Sequence, residues 1–204
     1  MISLFFSLIV AINAAFNCSI ITSPVNEQKN IEDYFKLVRK AAGAKPLEYK
    51  VIEMASDNRY MRISYLEEGK PSISEFYYWP LGFDLDSDHV LMASVTFRDG
   101  YATMPGFYTY KDGDIAEAKY SEIITNWDTF TDFNQSFEQN KTSDQFCCDL
   151  RVFLPKDGSD DLSVYSVKDD VAVKLKDRPS KDKCRKIGTL KYDILLETFE
   201  FEVD

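Results

Sequence analysis

Few side chains in this sequence can carry out chemistry alone. There is one histidine, His89, at the end of Asp86-Ser87-Asp88-His89. A single imidazole cannot build a multi-histidine metal site. It would also have to be the sole base of any serine–histidine or cysteine–histidine machine. No serine sits in a G-x-S-x-G elbow. The run Asp84-Leu85-Asp86-Ser87-Asp88 opens like a calcium loop, but His89 replaces the required glycine and Val95 the closing glutamate. It reads as a turn with capping aspartates. No catalytic residue, metal site or cofactor is therefore expected, and the chain is not read as an enzyme.

Binding chemistry is better represented. In the stretch 73–79, ISEFYYW, period-two alternation puts Ile73, Glu75, Tyr77 and Trp79 on one side and Ser74, Phe76 and Tyr78 on the other. A carboxylate in line with two large aromatics suits an organic cation. The acid neutralises it, and each ring face adds roughly 0.5–2 kcal/mol when dry. Phe107 supplies a further aromatic wall. The expected ligand-binding set is thus Glu75, Tyr77, Trp79 and Phe107. A fatty-acid-like ligand would instead need an inward cation, with Arg62 and Arg151 as candidates. Asp149 and Arg151 share one face of 145–154, while Phe146, Leu150 and Val152 take the other, which reads as core.

These side chains need a scaffold, and the ends of the sequence suggest its compartment. Residues 1–15, MISLFFSLIVAINAA, are uncharged, with an apolar run too short to span a bilayer and small residues at Ala14 and Ala15. They read as a secretory signal peptide, leaving 16–204 as one domain. The C-terminal ETFEFEVD shows no hydrophobic tail or retention signal. Three N-x-S/T sequons, at Asn17, Asn134 and Asn140, read as glycosylation sites and mark 134–142 as an exposed loop. Four cysteines, Cys18, Cys147, Cys148 and Cys184, read as two disulfides. A bridge between neighbours is strained, so Cys147 and Cys148 are expected to pair with Cys18 and Cys184, in either assignment. No C-x-x-C pair supports a zinc site.

The net charge is −10, which argues against a phosphate-backbone binder. Hydrophobic residues make up 45%, enough for a sizeable core. The stretch 176–186, KDRPSKDKCRK, holds six basic and two acidic residues. It reads as a solvated turn or short helix on an otherwise acidic protein.

One helix is legible. Asn30 can cap it, Gly43 can end it, and Ile31, Tyr34, Phe35 and Val38 fall at helical spacing. Beyond Pro46 the pattern shortens to candidate strands at 47–55, 60–68, 73–79, 89–98, 101–111, 145–154, 161–168, 171–176 and 189–202. Turn residues separate them at Asp57-Asn58, Glu68-Gly69-Lys70-Pro71, Asp99-Gly100, Asp112-Gly113, Asp157-Gly158 and Asp169-Asp170. Segment 115–127 fits helix or strand, and 128–144 reads as loop. The expected fold is mainly β: an antiparallel up-and-down barrel with a short N-terminal helix at its mouth and two disulfides.

This layout resembles the secreted arthropod lipocalins, in particular the tick salivary histamine-binding proteins of the calycin superfamily. The resemblance lies in the helix NIEDYFKLVRKA leading to LEYKVIEM, in CCDLRVFLPKDGSDDLSVYSV as a late hairpin opened by Cys-Asp, and in a cysteine soon after a proline, RPSKDKC. The G-x-W usual at a first lipocalin strand is absent. The resemblance implies a secreted, extracellular barrel that sequesters a biogenic amine, such as histamine, or a small hydrophobic lipid mediator. The alternative is a secreted interaction module that modulates host immunity or haemostasis through its outer surface. A monomer is expected, with no nucleic-acid or membrane partner.

Overall fold

A computed structural model describes residues 29–55, 57, 59–81, 89, 90–98, 101–102, 104–139, 148–156, 158–168 and 184–204. The expected signal segment, Asn17, Cys18, Asn140, Cys147, the Asp84–Asp88 run, the turns expected at Asp99-Gly100 and Asp169-Asp170, the strand expected at 171–176 and most of the basic stretch lie outside the described residues.

Helix α1 (Ile31–Ala41) forms where its pattern places it. The Asn30 side chain accepts from the backbone N–H groups of Glu32 and Asp33 at 2.9 and 3.1 Å, and the Asp33 carboxylate accepts from Asn30 N–H at 3.1 Å. This reciprocal capping box satisfies amides that a helix start leaves open. Arg39 and Lys40 occupy the last turn, where the helix dipole favours cations.

Among the described residues eleven strands follow, in two antiparallel sheets. The larger contains β1 (Tyr49–Met54), β2 (Tyr60–Glu67), β3 (Lys70–Pro80), β4 (Val90–Arg98), β6 (Gly106–Lys111) and β7 (Asp114–Ala118), in that order. The two-residue β5 (Tyr101–Ala102) is attached to β4. The smaller runs β11 (Thr198–Val203), β10 (Cys184–Asp193), β9 (Leu162–Lys168), β8 (Cys148–Phe153). The order is up-and-down within each sheet.

The central strands of the larger sheet are buried on both faces over much of their length. Tyr60, Ile73, Tyr77, Trp79, Leu91 and Phe97 enter the main core, where they meet Val152, Leu162, Leu190 and Phe199 of the smaller sheet. Met61, Ile63, Val90 and Met92 face the other way, against α1. Tyr34 packs on Tyr78 and Tyr110, and Phe35 on Phe76 and Tyr49, at ring separations of 4.6–5.6 Å. The helix therefore covers the flank of the sheet rather than a barrel mouth. Two-faced burial also explains why β4 reads as a nearly continuous apolar run.

Four sequence expectations are corrected. Segment 128–144 is not all loop: α3 (Trp127–Gln139) occupies most of it. Trp127, Phe130 and Phe133 recur at helical spacing, and both phenylalanines pack on Phe201, with ring centroids 4.9 and 5.2 Å away. Asn134 is consequently a half-buried helical residue and not part of an exposed loop. Strand 101–111 splits into β5 and β6 across Pro105, which has no N–H to give a ladder. The span 189–202 is two strands: the Asp193 carboxylate accepts from Leu195 and Leu196 N–H at 2.8 and 3.1 Å and turns the chain. The ambiguous 115–127 divides into the end of β7 and a short α2 (Tyr120–Ile123).

Among the described residues no strand of one sheet forms a ladder with a strand of the other, so the expected closed barrel is not formed there and the two sheets stand as layers. Polar contacts at their flanks help tie them together. On the β7 side, a single parallel bridge joins Ile124 to Phe199, and the Asn126 side chain exchanges two 2.8 Å hydrogen bonds with the Phe201 backbone. On the β1 side, Lys156 meets Glu53 in an ion pair.

Candidate functional site

Glu75, Tyr77, Trp79 and Phe107 all point to the inner face of the larger sheet. Glu75 and Trp79 have no exposed surface, and Tyr77 and Phe107 are 2% exposed. Three of the four belong to one aromatic cluster. The Tyr77 and Trp79 rings are 4.7 Å apart, and Trp79 and Phe107 both pack on Phe199 at 5.1 and 5.8 Å.

The polar handles of these aromatics are engaged by the segment between β8 and β9. Asp160 accepts from the Tyr77 hydroxyl at 2.8 Å and from Arg59 at 2.7 Å, while its backbone carbonyl accepts from the Trp79 indole at 2.9 Å. Burial pushes the Tyr77 phenol far above its usual range, and the Asp160 carboxylate beside it pushes in the same direction. The cluster is thus packed and satisfied from within the chain.

Glu75 lies one strand step further along. Opposite it on β2 is Arg62, in register, with Nε 3.6 Å from the Glu75 carboxylate. The Arg62 side chain is 9% exposed. The cation beside Glu75 is therefore one that the protein supplies. Desolvating two charges is costly, and the pair endures only if their attraction and further hydrogen bonds offset that cost.

The register comes from the turn. Glu68 and Gly69 have φ of 50° and 79°, the positive values of a two-residue hairpin loop. Pairing outward from them sets Glu67 against Lys70 and, five residues on, Arg62 against Glu75.

Beyond this pair the inner face opens. A groove of about 860 Å³ lies along the β1–β2–β3 end of the sheet, walled by Lys50, Ile52, Arg62, Leu66, Pro71 and Ile73 among others. Its surface is mostly apolar. No residue of the smaller sheet lines it, among the described residues. From Pro71 in the groove to Trp79 in the cluster is eight residues of β3, about 26 Å at strand rise. Groove and cluster are therefore separate, with Arg62–Glu75 between them. Of the four expected ligand residues, none lines the groove; Arg62, named as an anion partner, does.

The remaining candidates lie elsewhere. Arg151 is half-buried on β8. The backbone of His89 accepts from Leu81 N–H at 2.9 Å, and its side chain is half-buried. Cys148 and Cys184 open β8 and β10. No cluster of three or more metal-ligating side chains occurs among the described residues, and no described helix is long and apolar enough to cross a membrane.

Comparison with known proteins adds no family: no family model, no curated protein and no solved structure matches the chain.

Proposed function

We propose that this is a secreted, non-catalytic protein that sequesters a small hydrophobic mediator in the groove beside β1–β3. The observation that carries this reading is the groove itself. Its volume of about 860 Å³ suits a small ligand, its wall is largely apolar, and Arg62 stands at its inner end. An apolar body would lie along Ile52, Leu66, Pro71 and Ile73, and an acidic or polar head would meet Lys50, since Arg62 is already engaged by Glu75. The amine reading is weaker, because Glu75 already faces Arg62 at 3.6 Å and a ligand cation would have to displace it.

Binding of a fluorescent long-chain fatty acid is the test. Saturable uptake at one site per chain, lost in Ile73→Glu and weakened in Lys50→Gln, is expected. Absence of saturable uptake would overturn the assignment. Calorimetry with histamine, serotonin and tyramine should give no heat; heat that disappears in Glu75→Gln would restore the amine reading.

A second reading rests on a different feature. The β10–β11 turn presents Ile194, Leu195 and Leu196 at 61–71% exposure. Three consecutive exposed aliphatics suit an interaction module that works through its outer surface.

A further inference from the structure

We propose that the outer edge of β1 pairs with β1 of a second copy of this chain, antiparallel about a twofold axis between Val51 and Ile52. The proposal stands apart from the ligand reading. β1 is the terminal strand of the larger sheet, and among the described residues only β2 is its neighbour. It also carries Val51, Ile52 and Met54, each 36–44% exposed. A strand edge of this kind is a template for another strand.

The sequence of the edge says which strand fits. In Tyr49-Lys50-Val51-Ile52-Glu53-Met54, a twofold pairing sets Lys50 against the partner's Glu53 and Glu53 against the partner's Lys50. It also sets Tyr49 against the partner's Met54. Opposite charges facing each other across strands stabilise a pair, and like charges destabilise it.

The β-bulge in β1 makes this geometry workable. In a regular strand, residues 50 and 53 point to opposite faces, so the twofold pairing would match unlike faces. Here the register shifts between Val51 and Glu53. Lys50 lies opposite Ser64 and Glu53 opposite Arg62, two residues apart on β2 and therefore on the same face. Tyr49 and Met54, opposite Tyr65 and Met61, share the other face. A bulge commonly blunts an edge; this one brings the two charges into alignment. Glu53 already faces Lys156 of its own chain, so in the pair it would stand between two ammonium groups. Since Lys50, Ile52 and Glu53 also line the groove, the partner's β1 would extend the groove wall.

Sedimentation velocity over roughly a hundredfold range of concentration tests the proposal. The native chain should shift from monomer to dimer. Lys50→Glu alone and Glu53→Lys alone each place like charges at both symmetric contacts, and each should weaken the dimer about tenfold. An equimolar mixture of the two variants should dimerise again, because each supplies the charge that the other lacks. Far-ultraviolet circular dichroism of each variant checks that it is folded. A native chain that stays monomeric throughout would overturn the proposal. So would single variants that dimerise like the native chain, or a mixture that fails to recover. Fatty-acid uptake, measured separately, decides the ligand reading whatever the sedimentation result.

Discussion

Glu75 and Arg62 form an ion pair with almost no access to water, on the wall between a packed cluster and an open groove. The physics of such pairs is asymmetric. Removing one partner leaves a buried charge without its counter-ion, which is far more costly than removing both. Glu75→Gln is therefore expected to lower stability by about 3 kcal/mol or more. The double variant Arg62→Met/Glu75→Leu should lie within about 1–2 kcal/mol of the native chain, or above it. Urea denaturation midpoints of the three proteins decide this. If Glu75→Gln melts like the native chain, the pair is not a structural one.

At the scale of elements, most of the strands were legible because turn chemistry and alternation agreed. Asn30 and the apolar spacing after it located α1 to within a residue. The turn expected at Glu68-Gly69-Lys70-Pro71 located the β2–β3 hairpin, but only Glu68 and Gly69 form the loop, with Lys70 and Pro71 already in β3. It also held more than its position: a two-residue loop centred there fixes Arg62 opposite Glu75, so the pair could have been found from the turn alone. What misled the reading of α3 was polarity. Asp128, Thr129, Asp132 and Gln135 are exposed, and the two phenylalanines that pin the helix to β11 become visible as a stripe only once Phe201 has a place. The groove was not legible at all, since it is shaped by side chains of three strands whose relative placement alternation alone does not give. The strand order also constrains the cysteines. Cys148 on β8 and Cys184 on β10 lie on either side of β9, two strand spacings apart, or about 10 Å. A disulfide takes Cα atoms about 4.4–6.8 Å apart. Peptide mapping under non-reducing conditions should therefore find no Cys148–Cys184 bridge.

For the molecule as a whole, several tyrosines tie the layers together in their neutral form. Burial, aided by nearby carboxylates, raises Tyr77 well beyond its ordinary 10.0 and Tyr192 to about 12. The unfolded chain would release these protons near pH 10, while the folded chain keeps them longer. Stability is thus fully present below pH 10 and declines as pH rises toward 12. Unfolding free energies measured by urea across that window should fall, and Tyr192→Phe should fall less steeply. An unchanged slope in that variant would remove Tyr192 from the account. The buried ion pair has a further consequence, for errors in folding. A one-residue slip of β3 along β2 would turn Trp79 and Tyr77 outward, and hydrophobic patterning alone rejects it. A two-residue slip would preserve the alternation and pass that check. It would also set Arg62 against Ile73 or Tyr77 and strand a charge between the sheets. The pair thus acts as a parity-independent error check, detecting the even-numbered slips to which the apolar pattern is blind.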